Sequence, residues 1–298
     1  MKKLTLVSAL CLTLLESTGE CDDIRDAIHT LRKESRCYAY LTPTARELKV
    51  AERLFHHLIA GERNLARVVP LCRELELDLV LVRDGGDELL VLTELESARR
   101  GRGLYAFRRS RSRPILLQMP HAFHDLHTGE IGERLLAETD AAVAAWNTTA
   151  RTETGADGER TSDLAHLEAS YLQALTVAFA RLHPHGLVLQ IHGFSKENRT
   201  SLEGALADIV ISDGTRTPDR RVKTLASCIG EQLSLSPAVY PRDISELGGT
   251  TNAQSRLLRT LGHRGFLHLE LSLDARERLR SSQEDRRRLW LCFEERSW

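Results

Sequence analysis

The stretch PILLQMPHAFHDLHTGEIG, residues 114–132, joins a nearly uninterrupted apolar run to a loop that holds three histidines and two carboxylates. An apolar run of this kind is typical of a strand whose two faces are both covered, as in a sheet with helices on either side. In such sheets the functional groups collect at the carboxyl ends of the strands. The loop is therefore either a metal site at a strand end or a solvated polar turn that happens to be rich in histidine.

The rest of the chain alternates predicted strands with predicted helices. Strand patterns occur in the hairpin LDLVLVRDGGDELLVLTELES (77–97), with its Asp-Gly-Gly-Asp turn, and in residues 101–109, 141–149, 186–194, 207–215 and 265–272. Helix patterns occur in residues 131–138, 163–182, 223–233 and 251–262. This alternation predicts an α/β protein, a three-layer α/β/α sandwich around a mixed sheet.

The N-terminal part of the chain has a different pattern. Residues 20–75 place apolar side chains three and four apart, which predicts a helical segment ahead of an α/β domain in residues 76–298. In residues 1–19, two lysines precede an apolar run and then small residues, which predicts a secretory signal peptide. Cleavage would place the protein in the periplasm or outside the cell. If residues 1–19 instead form a buried first helix, the protein is cytoplasmic.

Composition excludes some classes of protein. The 41 Lys and Arg residues nearly balance the 42 Asp and Glu residues, so no basic field attracts nucleic acid. Apart from the N-terminal run, no apolar stretch approaches the roughly 20 residues that span a bilayer. The six cysteines are widely spaced without a C-x-x-C pair. A disulfide between Cys21 and Cys37 is possible in an oxidising compartment, whereas scattered cysteines are more often buried apolar residues.

Polar residues stand at the ends of three predicted strands, at His121, His192 and Glu270. A histidine with a carboxylate a few residues later, joined by a histidine from a distant strand, offers Zn²⁺ two nitrogens and one oxygen and leaves a fourth position open for water. In the first loop the spacing leaves the choice open. The candidates there are His121, His124, Asp125, His127 and Glu130, the last two in an H-x-x-E pattern.

Six blocks in a fixed order carry a resemblance to known enzymes: PHAFHDLHTG, WNTTAR, LVLQIHGFS, ADIVISDGT, GGTTNAQSR and FLHLELS. Together they resemble the N-formylglutamate amidohydrolases and the phage-type poly-γ-glutamate hydrolases, which are relatives of zinc carboxypeptidases. The resemblance covers about residues 114–279. It implies a zinc carboxypeptidase-like (phosphorylase/hydrolase-like) fold.

The same resemblance implies a ligand set for the zinc ion. Carried over position by position, the ligands are His121, Asp125 and His192. These families usually have an acidic residue just before the last of these histidines, whereas this chain has Gln190 and Ile191. Because of that departure, the resemblance does not extend to the exact substrate.

Glu270 lies in a strand where alternation puts it on one face with Phe266 and His268. A carboxylate in so apolar a strand is costly unless it has a partner. It is either the partner of an arginine or a general base that takes a proton from the attacking water, and the resemblance implies the base.

For substrate binding, the resemblance implies an asparagine and an arginine between the ligand segments, here Asn147 and Arg151. An arginine fork can hold a carboxylate through two parallel hydrogen bonds. Arg256, near a Gly-Gly turn, is a further candidate.

These expectations describe a zinc-dependent hydrolase that cleaves an amide or peptide bond next to a carboxylate, in a peptide or an acyl-amino acid. One alternative is a non-catalytic binding module on the same scaffold. Another is an HD-type metal phosphohydrolase, suggested by the dipeptide His124-Asp125. Those enzymes carry the dipeptide inside a helix, a context that Pro120 and the preceding strand oppose.

Overall fold

A computed structural model describes residues 12–15, 24–152 and 162–294 of the chain. Its strands form one sheet in the order β1-β2-β3-β4-β6-β5-β7-β10-β8-β9. The strands are β1 (Leu12–Leu15), β2 (Leu77–Asp84), β3 (Asp87–Glu94), β4 (Leu104–Arg108), β5 (Arg113–Met119), β6 (Ala141–Trp146), β7 (Leu187–Gly193), β8 (Ile209–Ser212), β9 (Pro237–Val239) and β10 (Phe266–Leu271). Parallel and antiparallel pairs both occur, so the predicted mixed sheet is confirmed.

Helices cover both faces of this sheet. They are α1 (Ile24–Glu34), α2 (Ala45–Ile59), α3 (Leu65–Glu74), α4 (Thr128–Glu138), α5 (Tyr171–Leu182), α6 (Leu202–Leu206), α7 (Arg220–Leu233), α8 (Ala253–Thr260), α9 (Leu273–Ser281) and α10 (Gln283–Glu294). One apolar core joins the sheet to α1, α4, α7, α9 and α10, and a second joins its other face to α2, α3, α5 and α8. The predicted three-layer α/β/α architecture is therefore confirmed.

The β5 run shows why its sequence is apolar throughout. Ile115 and Leu117 belong to the first core, whereas Leu116 belongs to the second. Because successive side chains of a strand point to opposite faces, both faces of β5 must be apolar when helices cover both. The one polar residue of this buried part is Gln118, which lies on the face of Leu116.

The helical N-terminal segment contributes to both outer layers. Helix α1 packs on α4 on one face of the sheet, while α2 packs on α5 on the other. Between α1 and α2 the chain runs beside the loop after β6, where the Cys37 amide donates to the Thr148 carbonyl at 2.8 Å. The predicted signal peptide lies mostly outside the described residues, apart from Leu12–Leu15, which pairs parallel to β2 as β1. Its cleavage stays a prediction.

Two details of the elements differ from the expectation. Helix α5 begins at Tyr171 and not at residue 163, because Ser170 caps it by accepting a hydrogen bond from the Gln173 amide. A disulfide joins Cys228 of α7 to Cys292 of α10, while Cys37 is a free thiol and Cys21 lies outside the described residues.

Within the described ranges, no helix combines the length and the apolar character that crossing a membrane requires.

Candidate active site

The carboxyl ends of three adjacent parallel strands meet at the candidate site. Strand β7 lies between β5 and β10 and runs parallel to both. Gln190 of β7 is in register with Gln118 of β5 on one side and with His268 of β10 on the other. His192 is in register with Glu270. The sheet therefore brings together polar side chains that are far apart in the sequence.

Three buried side chains form the first group of the site. His121, Asp125 and His192 are each at most 6% exposed, and their ligand atoms lie close enough together to hold a metal ion. The two Nδ1 atoms of the histidines are 3.0 Å apart. The Asp125 Oδ2 atom lies 3.5 Å from Nδ1 of His121 and 3.6 Å from Nδ1 of His192. The structure thus brings together the three side chains that the resemblance implied as ligands.

A tight turn after β5 directs Asp125 back toward His121. The amides of His124 and Asp125 both donate to the His121 carbonyl at 2.8 Å. The Thr128 hydroxyl in turn donates to the Asp125 carbonyl at 2.8 Å, just where α4 begins. The Asp125 carboxylate also accepts from the Gly193 amide at 3.0 Å, which ties the turn to the end of β7.

Each histidine of this group has a hydrogen-bond partner on its far side. The Nε2 atom of His121 lies 2.8 Å from Oδ1 of Asp163, and Nε2 of His192 lies 2.8 Å from Oε1 of Gln190. Each ring therefore has its Nε2 atom facing an oxygen and its Nδ1 atom facing the other ligand atoms. Such partners are typical of metal-binding histidines.

His268 and Glu270 form a second group beside His192. The rings of His268 and His192 have their centroids 4.5 Å apart, and Nε2 of His268 is 3.7 Å from Oε1 of Glu270. The Glu270 side chain is 12% exposed. Among the described residues no arginine lies within ion-pair distance of it. The ion pair that was one expectation for Glu270 is therefore not present in this part of the chain.

Burial and neighbouring charges shift the protonation of the whole site. Burial, with the negative charge of Asp125, raises the pKa of Glu270 to about 8. Burial lowers the pKa of His192 to about 4. For His121, burial opposes the charged form, but Asp125 and Asp163 outweigh it and raise the pKa. Burial also acts on Asp125, yet its two histidine neighbours hold the pKa of this carboxyl well below its usual range.

The predicted substrate-binding residues occupy three different environments. Asn147 is buried behind the His121 turn, where its Oδ1 accepts from the Ala122 amide at 2.6 Å and its Nδ2 donates to the Thr149 carbonyl at 2.5 Å. Arg151 has a side chain 36% exposed and lies 3.6 Å from Oδ2 of Asp163. Arg256, on α8, pairs with an exposed glutamate, Glu168, at 3.0 Å.

The other polar residues of the first loop lie outside the buried group. His124 is exposed, and it is in a turn of an α/β protein and not inside a helix, which disfavours the HD-type alternative. Glu130 lies in the first turn of α4, 3.7 Å from Arg280 and 3.9 Å from His127.

Four residues of the site are not predicted by the sequence. They are Asp163, His268, Arg276 and Gln190, the last of which is the partner of His192. Gln190 and His268 had a signal, since each lies two residues before a candidate on the same face of its strand. Asp163 had none, because nothing in the sequence indicates that it returns to His121 from 42 positions away.

Arg276 connects the two loops that carry the first group. This buried residue of α9 donates to the Leu126 carbonyl at 2.7 Å and to the Phe194 carbonyl at 3.1 Å. Leu126 follows Asp125, and Phe194 lies two residues after His192. The guanidinium lies so close to Gly193 that a Cβ atom added there would come within 2.7 Å of it. A glycine at this position therefore allows the arginine to bridge the loops.

Comparison with known proteins gives matches among solved structures only. The chain is similar to N-formylglutamate amidohydrolase from Ralstonia eutropha JMP134, with 13% identity, a TM-score of 0.44, and 65% of this chain and 98% of that chain covered. It is similar to a bacteriophage poly-γ-glutamate hydrolase, with 13% identity, a TM-score of 0.38, and coverage of 62% and 86%. It is also similar to gene product Atu2144 from Agrobacterium tumefaciens, with 12% identity, a TM-score of 0.42, and coverage of 62% and 92%.

No protein-family model and no curated protein matches the sequence. The first two similar structures are of the two kinds of hydrolase that the sequence blocks resemble.

Proposed function

We propose that this protein is a zinc-dependent hydrolase that cleaves an amide or peptide bond next to a carboxylate. The observation that carries the proposal is the convergence of two imidazole Nδ1 atoms and one carboxylate oxygen, from His121, His192 and Asp125, in a buried group beside Glu270. Three protein ligands of this kind leave one position of a tetrahedral zinc ion open, which is typical of catalytic sites.

The facing Nδ1 atoms of the two histidines suit a cation bound between them. When both rings are neutral and their Nε2 atoms donate to Asp163 and to Gln190, both Nδ1 atoms present lone pairs. Two lone pairs facing each other across 3.0 Å repel unless a cation or a proton lies between them. Two neutral imidazoles with one carboxylate form a donor set that suits Zn²⁺.

When bound, zinc would supply Lewis acidity toward the substrate carbonyl and lower the pKa of water. Glu270, partly exposed beside the buried group, would take the proton from the attacking water and give it to the leaving nitrogen. Burial prepares Glu270 for this role, because a carboxyl whose pKa is raised toward neutrality can both accept and release a proton at physiological pH.

Of the three candidate residues, Arg151 is the best placed to bind the substrate carboxylate. Its guanidinium is partly exposed, and its contact with Asp163 at 3.6 Å is loose enough to be exchanged for a ligand. Asn147 is already bonded to two backbone groups, so it would contribute chiefly by holding the turn of His121. Arg256 would first have to leave Glu168. The proposed substrates are peptides or acyl-amino acids that carry a carboxylate.

A periplasmic or secreted location is part of the proposal. The disulfide between Cys228 and Cys292 supports it, because such bonds persist in oxidising compartments and are rare in the cytosol. The signal peptide predicted in residues 1–19 points the same way.

The proposal is tested by metal analysis together with a substrate screen. Purified protein should hold about one equivalent of zinc. It should also hydrolyse members of a panel of acyl-amino acids, γ-glutamyl peptides and peptidoglycan fragments, and a chelator should abolish the activity until zinc is restored. Less than about half an equivalent of zinc after reloading would contradict the metal site. Full zinc content without hydrolysis of any member of the panel would favour the binding module instead.

A further inference from the structure

A chain of buried amides lies behind His192. Gln190 is fully buried, and its Nε2 donates to Oε1 of Gln118 at 2.9 Å and to Oε1 of Gln254 at 3.2 Å. Its own Oε1 faces Nε2 of His192. Buried amides of this kind have no water to satisfy them, so each donor needs an acceptor and each acceptor a donor.

A residue of α5 fixes which groups donate and which accept in this series of hydrogen bonds. The Thr176 hydroxyl donates to the Leu172 carbonyl at 2.7 Å, because a carbonyl can only accept. Gln118 must therefore donate to the Thr176 oxygen, 2.9 Å away, through its Nε2. That leaves Oε1 of Gln118 to accept from Gln190.

Two residues of α8 and its cap, Gln254 and Asn252, independently require the same donor and acceptor roles. Gln254 donates through Nε2 to the Leu164 carbonyl at 3.0 Å, so its Oε1 is the atom that accepts from Gln190. Asn252 caps α8 by accepting from the Ser255 amide at 3.0 Å, so its Nδ2 donates to Oε1 of Gln190 at 2.5 Å. Three separate backbone groups thus require that the oxygen of Gln190, and not its nitrogen, faces His192.

We infer that Gln190 is a positioning residue that fixes His192 in the Nε2–H tautomer, so that Nδ1 is the ring atom free to act as a donor. The part that concerns the metal rests on the proposed function, whereas the tautomer itself is a property of the metal-free protein. Gln190 does this without adding a fourth carboxylate to a site that already holds Asp125, Asp163 and Glu270. A glutamate in its place would set a carboxylate oxygen against the two carbonyl oxygens of Gln118 and Gln254.

The test reads the tautomer directly, by long-range proton–nitrogen NMR of the imidazole rings in ¹⁵N-labelled, metal-free protein at pH 8. His192 should show the Nε2–H tautomer, with Nδ1 as the unprotonated nitrogen. An Nδ1–H tautomer for His192 in the wild-type protein would overturn the inference. This measurement needs no variant and therefore does not depend on a substitution that folds.

Variants then connect the tautomer to the metal. Gln190→Met keeps the length of the side chain but removes its oxygen, so we expect a mixture of tautomers and zinc affinity lower by about 10-fold to 100-fold. The matched control is Gln173→Leu, which removes a bond to Gln254 but leaves the bond of Gln254 to Leu164. The control should keep the tautomer and the affinity. Unchanged tautomer and affinity in Gln190→Met would overturn the inference.

Failure of the proposed function would be seen separately. A wild-type protein with the Nε2–H tautomer that takes up no zinc supports the positioning role of Gln190 and contradicts the metal site.

Discussion

At the scale of single residues, the proposed ligands can be separated from their polar neighbours. His121→Ala and His192→Ala each remove one of three donors, so we expect zinc content to fall to near zero while the fold remains. Glu130→Ala is the matched control, because Glu130 faces Arg280 and not the buried group. Zinc content by mass spectrometry and the circular dichroism spectrum check both. Loss of zinc in Glu130→Ala, with retention in Asp125→Ala, would show that the acidic ligand is Glu130.

The role of Glu270 is tested by a change that keeps its shape. Glu270→Gln cannot accept a proton, so turnover should fall by about 10²-fold or more while zinc content persists. Rate, zinc content and melting temperature measured on one preparation distinguish this from a structural role. A lower melting temperature with an unchanged rate per folded molecule would assign Glu270 to the structure alone.

Glu270 also makes the metal-free protein sensitive to pH. Its pKa is about 8 in the folded protein and about 4.3 in an unfolded chain, so folding favours the protonated form. Its contribution to stability is therefore full below about pH 4 and is lost as the pH rises through about 8. The metal-free Glu270→Gln variant should gain in melting temperature over the wild type from about pH 5 to 8, in the presence of chelator. A difference that does not change with pH would contradict the raised pKa.

The sequence predicts a residue of the site when the signal lies in the same segment as the residue, and it does not predict contacts between distant segments. His121, His192 and Glu270 follow apolar runs, and the sequence shows where such runs end. Asp163 reaches His121 from a separate segment, so only the folded chain reveals the contact. The tautomer of His192 depends on partners in α5 and α8, and no spacing within β7 could indicate them.

At the scale of elements, α9 holds the two site loops through Arg276. Arg276→Met leaves the Leu126 and Phe194 carbonyls without their donor, so we expect a loss of about 2–4 kcal/mol in the free energy of unfolding and weaker zinc binding. Arg278→Met, on the same helix, is the control, because Arg278 is half exposed, pairs with Asp285 and donates to the Leu233 carbonyl of α7 and not to either site loop. It should cost less than about 1 kcal/mol and leave zinc binding unchanged. Urea unfolding and zinc titration measure the two effects.

If the Arg276→Met protein is destabilised but keeps the zinc affinity of the wild type, α9 does not hold the two site loops for metal binding. Arg276 would then stabilise the fold only.

The elements themselves were predictable where their pattern was strong. The hairpin of β2 and β3 follows from apolar runs around a Gly-Gly turn, and the structure places the turn there. The predicted start of α5 at residue 163 is too early, because residues 163–170 contain apolar positions at helical spacing that are buried in a turn. Strand β9 has only three residues, too few for a period to be visible.

At the scale of the whole molecule, the order of the strands decides which residues meet. The alternation of strands and helices predicts the layers, but not that β10 lies between β7 and β8. That insertion places Glu270 beside His192, and it depends on contacts between distant segments that no local pattern records. The helices of residues 20–75 likewise follow from their own periodicity, whereas their division between the two faces of the sheet does not.

The disulfide of the C-terminal helices connects the fold to the compartment. The bond between α7 and α10 closes a loop of 64 residues, which corresponds to about 4 kcal/mol of stability in the chain-entropy model. A reductant should therefore lower the melting temperature of the wild type, and the double variant Cys228→Ser/Cys292→Ala should melt lower and no longer respond to it. Cys37→Ser is the control, since Cys37 is a free thiol and its loss should leave the response intact.

The same cysteines report where the protein resides, because a cytosolic protein is kept reduced while an exported one is not. Protein recovered from its native host into an alkylating reagent should carry the label on Cys37 but not on Cys228 or Cys292. Peptide mass spectrometry reads the labels, and a reduced sample alkylated in the same way shows that both cysteines can be modified. Label on both Cys228 and Cys292 without prior reduction would mean that the bond does not form in the cell, and the proposed export would lose its structural support.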